Sequence, residues 1–329
     1  MEHTNLKEAR TDAGPDDLLD PDIRRFNERV GAGFARYPDF ARRPVAERRR
    51  IAEEVRAPWT QGGPVMHARI DRNVPTREGD VRVRIHNPSP APCKGALIYL
   101  HGGGWTMFSI DTHDRLMREY AARADVIVIG VDYSLSPEAK FPTALHQVVD
   151  VVRWASQHAT ELDIDARRVA LGGDSAGANL TMAACLMLRD AGERDAVKAM
   201  VLNYGAFDRE VSPTSARTFG YPGSMLEPGE MEQFWINYLR NPADAANPLA
   251  CPLRADVTGL PPSYVAIAER DILAEQSVAM AAKLRAAGVC VHAELYSGAS
   301  HSFLEAISIA ALSDRAFAET ADWLRNRLR

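Results

Sequence analysis

One serine sits between two glycines in Gly173-Asp174-Ser175-Ala176-Gly177. The apolar run Arg168-Val169-Ala170-Leu171-Gly172 precedes it, and the helix-forming stretch Ala178–Leu188 follows. A strand that turns sharply into a helix at a serine is the G-x-S-x-G elbow, which presents the hydroxyl as a nucleophile for acyl transfer. The turn cramps the backbone at Ser175, so a side chain at 173 or 177 would collide with the neighbouring strand and helix. It also sets the N–H of Ala176 at a helix N-terminus, where donors are free and the dipole favours negative charge. Alone the motif is weak, because glycine, serine and alanine are common and any glycine-rich strand–helix turn reads alike.

The upstream stretch Ala96-Leu97-Ile98-Tyr99-Leu100 is a second buried-strand run, and it ends in His101-Gly102-Gly103-Gly104-Trp105. Glycines placed there let backbone approach a reacting atom, and the N–H groups of Gly103, Gly104 and Ala176 would hold an oxyanion. A serine needs a base, and in this arrangement the chain order is serine, acid, histidine. Only His292 and His301 follow Ser175. His292 lies within an alternating strand and reads as packing; His301 lies in the small-residue loop 297–303 past a strand end, where parallel sheets place their chemistry. The acid should end the preceding strand. Asp271, after Val265–Ala268, is preferred to Glu269, Asp256, Asp314 and Asp322. Asp271 would orient His301 and stabilise its imidazolium.

The elements that must position these groups alternate. After a hairpin (65–74 with 81–86) come the strand 96–100, a helix near 112–123, the strand 126–131 and a helix near 142–158. Next stand the elbow strand with its helix, and the strand 199–204. This order calls for a mostly parallel sheet with helices on both faces. It breaks over 205–262, a proline-rich stretch with one clear helix near 228–239, too long for a plain connection and read as a lid. The sheet resumes at 265–268, with a helix near 276–287, a strand 289–296 and a final helix 314–328. Residues 1–60 carry helical patterns over 21–40 and 45–55, with the first twenty residues read as mobile. The arginines at 42, 43, 48, 49 and 50 read as a solvated helix face paired with glutamates. The division expected is 1–60 helices, 61–204 core, 205–262 lid and 263–329 core.

The chain has 329 residues, 46% hydrophobic and 25% charged with net charge −5, which suits one large α/β domain and gives no reason to expect nucleic acid. No apolar run reaches the roughly 18 residues of a membrane span, and the start lacks the order of a secretory signal. A cytoplasmic protein fits. The four cysteines are far apart and read as buried free thiols.

Taken together, His101–Trp105, Gly173–Gly177, Asp271 and His301 resemble the hormone-sensitive-lipase-like carboxylesterases of the α/β-hydrolase fold, bacterial acetyl esterases above all. Asp132-Tyr133-Ser134-Leu135-Ser136-Pro137-Glu138, Phe141-Pro142, Asn247-Pro248-Leu249 and Gly259-Leu260-Pro261-Pro262 add to the likeness. The resemblance implies short-acyl ester substrates, no cofactor and no metal, a helical cap made from the N-terminus and 205–262, and frequent homodimers. It makes His101 a brace for the glycine loop, while Asp174 either braces the elbow or is merely exposed. Three positions depart from the pattern. Ser134 stands where many members carry arginine, putting a common ion pair in doubt. Ser302 follows the histidine where glycine is usual. Trp105 replaces the commoner phenylalanine and would narrow the pocket. Trp105, Tyr204 and Phe207 are the aromatic candidates for substrate binding; with Phe108, Phe234 and Trp235 they suggest a closed apolar pocket, with core packing as the alternative. The same triad would equally serve an amidase, peptidase or lactonase, and a catalytically silent receptor on this fold is a reading of another class.

Overall fold

Three strands are buried at every residue: β3 (Lys94–Leu100), β4 (Ile127–Val131) and β6 (Ala199–Asn203). Continuous burial is the mark of strands covered on both faces. The computed structural model of the chain describes residues 18–329, so the reading of the first twenty residues as mobile falls, for 1–17, outside the described residues. With β1 (Ala68–Val74), β2 (Val81–Asn87), β5 (Ile164–Asp174), β7 (Ser263–Arg270) and β8 (Val291–Ser300), these strands form one sheet in the order β1-β2-β4-β3-β5-β6-β7-β8. β1 and β2 pair antiparallel, as do β2 and β4, and the other neighbours run parallel.

Successive side chains of a strand point to opposite faces, and two apolar cores result. Ile98, Leu100, Ile129, Leu171, Leu202 and Val265 face one core, which takes in α4 (Thr143–Gln157), α5 (Ala176–Asp190), α7 (Pro228–Tyr238) and α8 (Ala274–Ala286). Leu97, Tyr99, Val128, Ala170, Val201 and Tyr264 face the other, which takes in α1 (Pro21–Ala35), α2 (Val45–Arg56), α3 (Asp114–Ala124) and α9 (Ala311–Arg327). α1 starts where the Asp20 carboxylate accepts from the N–H groups of Asp22 and Ile23 and Pro21 takes the first helical position.

Several expectations are corrected. A further helix, α6 (Pro213–Phe219), stands in 205–262; it is capped by Ser212, whose hydroxyl accepts from the N–H of Ser215. The strand expected to stop at 296 runs on as β8 to Ser300, because small residues 297–300 continue it to pair Ser300 with Arg270. His301 therefore follows the strand directly. Cys185 and Cys251 are buried, but Cys93 and Cys290 are exposed, since both precede their strands instead of lying within them. The solvated arginine face holds for Arg43, paired with Asp39 and Glu47, and for Arg50, paired with Glu54. It does not hold for Arg49, which turns inward. No helix among the described residues is long and apolar enough to cross a membrane.

Candidate active site

Ser175 lies between the last residue of β5 and the first of α5, with φ 54° and ψ −115°. A non-glycine residue at positive φ costs on the order of 1–3 kcal/mol and persists only where the surroundings impose it. The surroundings here are backbone: a Cβ on Gly177 would collide with the carbonyl of Leu100, and one on Gly173 with the same oxygen. The tight crossing of β3 and the elbow thus requires both glycines.

Asp271 follows β7, and His301 follows the adjacent β8. Their loops leave the same edge of the parallel sheet and bring the side chains to Ser175. His301 Nδ1 is 2.6 Å from Asp271 Oδ2, and His301 Nε2 is 3.0 Å from Ser175 Oγ. The other Asp271 oxygen accepts from the N–H of Leu273 at 2.9 Å, which fixes the carboxylate. All three residues are buried. Burial disfavours a charged imidazole, but the Asp271 carboxylate outweighs it, so the His301 pKa is raised from its ordinary value.

Opposite stands the glycine loop. Gly103 has φ 107° and Gly104 φ 58°, and the carbonyl of Gly103 accepts from the N–H groups of Thr106 and Met107. A Cβ on Gly104 would enter the ring of Phe234 on α7, and one on Gly103 would strike the carbonyl of Met107. The N–H groups of Gly103 and Gly104 bond to no main-chain acceptor among the described residues. That of Ala176 lies in the first turn of α5, where helical N–H groups lack intrahelical partners.

Behind the loop, Asp174 is buried and tied to three groups. It accepts from Tyr99 Oη at 2.8 Å and from the N–H of Gly102 at 3.1 Å, and His113 Nε2 lies 3.4 Å away. Burial would raise its carboxyl, but His113 and Tyr99 outweigh that and hold it low. In return, Asp174 overcomes the effect of burial on His113, whose pKa is raised. Of the two readings of Asp174, the brace is the one found. His101 stacks on Tyr133 at 4.3 Å, and its Nδ1 is 2.7 Å from the carbonyl of Gly102. Burial, reinforced by neighbouring His113, brings its pKa down to about 4, so it is neutral. His292 is exposed and stacks on Tyr264 at 4.9 Å.

The aromatic candidates are dispersed. Tyr204 meets His301 edge-on at 5.2 Å, and its buried hydroxyl has no partner among the described residues. Burial first, then Asp174, pushes that phenol well above its usual range. Trp105 is wholly buried and stacks on Tyr238 at 4.2 Å, while buried Phe207 donates its N–H to Gln276. Ser134 makes no ion pair; its N–H and hydroxyl both bond to the Gln147 amide at 2.8 Å. Ser302 occupies the left-handed region that suits the glycine usual there, with φ 60°.

Sequence reasoning missed Tyr99 and His113 as neighbours of the site. Both lie beneath the loop by tertiary packing, and no spacing in the chain marks them. A cleft of about 620 Å³ opens between α6, α7 and the turn 242–246, but Ser175, Asp271 and His301 do not border it. Its arginines are taken, Arg209 by Glu232 at 2.5 Å and Arg254 by Asp208 at 2.9 Å. Among the described residues no group of three or more His, Cys, Asp or Glu is placed to hold a metal ion.

Comparison with known proteins finds relatives of the same fold. A family described as "alpha/beta hydrolase fold" matches residues 97–305. The acetyl esterase of Salmonella paratyphi A is 36% identical over 273 residues, covering 82% of this chain and 84% of the relative. Among solved structures, a hyperthermophilic esterase from the archaeon Pyrobaculum calidifontis superposes with TM-score 0.87 at 31% identity, covering 94% of this chain and 98% of that one. A thermostable carboxylesterase cloned from a metagenomic library superposes with TM-score 0.85 at 33% identity, covering 88% and 99%. The chain belongs to the α/β-hydrolase-fold family, in its hormone-sensitive-lipase-like branch, and is a carboxylic ester hydrolase.

Proposed function

We propose that the chain hydrolyses short-chain acyl esters, acetyl esters foremost, through an acyl-enzyme on Ser175. The observation that carries the reading is the continuous hydrogen-bonded line from Asp271 through His301 to Ser175, at 2.6 and 3.0 Å. Ser175 Oγ attacks the ester carbonyl while His301 Nε2 takes its proton, and Asp271 stabilises the imidazolium without becoming protonated. The tetrahedral oxygen is held by the N–H groups of Gly103, Gly104 and Ala176. His301 returns the proton to the departing alcohol. A water then repeats the steps on the acyl-enzyme, releasing the acid and restoring Ser175.

The preference for short acyl chains is supported by the acetyl esterase relative and by the seating of Phe234 on Gly104, which limits room beside the glycine loop. The tyrosine edge at His301 supports Tyr204 as a substrate neighbour. Trp105 and Phe207 act one layer out, as the walls of that space. Residues 205–262 and the N-terminal helices form the proposed cap, and they meet where Arg56 Nη2 lies 3.6 Å from Met225 Sδ.

Ser175→Ala is expected to abolish turnover of p-nitrophenyl acetate. Activity within about tenfold of wild type would place the nucleophile elsewhere. Across p-nitrophenyl esters from acetate to palmitate, kcat/KM should peak at acetate or butyrate; a maximum at the long chains would contradict the acyl preference.

A further inference from the structure

The arginine-rich helix α2 does more than face solvent. Arg49, Glu53 and Arg56 are spaced four and three apart, so they share one side of the helix. That side lies along the glycine loop. Arg49 Nε donates to the carbonyl of Thr106 at 2.7 Å, and its Nη2 donates to the carbonyl of Ser136 at 2.7 Å. The same guanidinium reaches both oxygens of Glu138, at 3.0 and 2.7 Å. Glu53 stands beside Ser109. Arg56 lies over the ring of Phe108 at 5.1 Å and pairs with Glu305 at 2.9 Å, an ion pair with both side chains 5% exposed or less.

These contacts converge on the parts that the reaction needs fixed. Thr106 closes the turn whose first residue is Gly103, since its N–H bonds to the Gly103 carbonyl at 3.0 Å. Ser136 in turn donates its N–H to the carbonyl of Trp105 at 2.8 Å. Glu305 lies in the 3₁₀ turn Phe303–Ser308 that begins two residues after His301. One rigid helix therefore grips the loop with the amide donors and the turn behind the imidazole. A guanidinium suits this task because its planar fork presents several donors at fixed angles, which a flexible ammonium cannot copy.

We propose that α2 is a clasp for the oxyanion loop: Arg49 is a positioning residue that holds the Gly103 and Gly104 amides at the distance the tetrahedral intermediate requires, with Arg56 anchoring the same helix to the turn after His301. The inference rests on the serine mechanism given above and assigns the arginines no contact with substrate. Its consequence is specific. Loosening the clasp should weaken binding of the transition state and leave binding of the ester nearly untouched, because donors aimed at a developing charge act mainly in the transition state.

The test compares Arg49→Ala, Arg49→Lys and the solvent-side control Arg50→Ala on p-nitrophenyl acetate. A trifluoromethyl ketone, which adds to the serine and places an oxyanion in the hole, serves as the second probe. Arg49→Ala should lower kcat about 10- to 100-fold, below the loss seen when an oxyanion donor is removed outright, with KM within about twofold. Ketone affinity should fall by the same factor as kcat/KM. Arg49→Lys should lie between wild type and alanine, and Arg50→Ala should match wild type. A rise in KM at constant kcat, or a fall in kcat with ketone affinity unchanged, would overturn the proposal. So would an equal loss in Arg50→Ala. If Arg49→Ala does not fold, Arg49→Lys decides alone, by whether its ketone affinity follows its kcat/KM. Ser175→Ala, run alongside, separates the two levels: activity there sinks the mechanism, whereas an inactive Ser175→Ala beside Arg49 variants of normal ketone affinity sinks only the clasp.

Discussion

At the scale of residues, chemistry depends on a histidine that must be neutral to accept a proton. The Asp271 carboxylate, opposing burial, raises the His301 pKa. The acid limb of kcat/KM should therefore have its midpoint above the ordinary imidazole value of about 6.5, with activity lost as pH falls through it. Asp271→Asn removes the largest cause of the rise, so the limb should move to lower pH and kcat should drop about 10³- to 10⁴-fold. A pH–rate profile of both proteins checks this; an unmoved limb would mean that Asp271 does not face His301 in solution. Ser175 and the glycines were legible in the sequence because their spacing constrains backbone geometry that few other residues permit, whereas His301 was reached by elimination, as one of two histidines after Ser175. Asp271 was found only by position at a strand end. Tyr99 and His113, which hold Asp174, carry no such local signature.

At the scale of elements, the elbow exists because β3 and the start of α5 touch backbone to backbone. Gly177→Ala would drive a Cβ into the Leu100 carbonyl, which neither strand nor helix can yield. Such overpacking costs roughly 1–3 kcal/mol, and urea unfolding should show a loss of that size; an unchanged midpoint would mean that the crossing is looser than described. The elements themselves were readable wherever apolar periodicity was strong. β3, β4 and β6 and the helices α4, α5 and α9 stand close to their expected bounds. α6 was missed because seven residues give too little periodicity, although Ser212-Pro213 is a sound helix start. The extension of β8 through Gly298 was missed because small residues signal a loop when read alone. Its pairing is set by contacts distant in sequence, such as the Gly298 N–H donating to the Glu269 carboxylate at 2.9 Å. The inward turn of Arg49 was hidden likewise, its partners lying on loops far along the chain.

At the scale of the whole molecule, the antiparallel edge is bound to the body by charge. Arg84, 3% exposed on β2, pairs with Asp71 of β1 at 2.8 Å, with Asp111 at 2.7 Å and with Asp114 of α3 at 3.2 Å. Arg84 lowers the Asp71 carboxyl; for Asp111 and Asp114 burial pushes upward, but the neighbouring arginines and His86 outweigh it and hold both low. Carboxyls depressed in the folded state stabilise it above their unfolded value of about 3.9, and the contribution is lost as pH falls through the folded values. The urea midpoint should hold on acidification to about pH 4 and then fall steeply; Arg84→Met should flatten the fall by removing the group that depresses Asp71. A fall equally steep in that variant would assign acid sensitivity to other carboxylates. The molecule as a whole serves to bring residues 175, 271 and 301 together, and one measurement addresses that most directly. The protein is treated with a fluorophosphonate, digested, and the modified peptide identified by mass spectrometry. A single adduct on Ser175, absent from His301→Ala, is the predicted result; an adduct on another serine, or none in an esterase that turns over p-nitrophenyl acetate, would contradict the account.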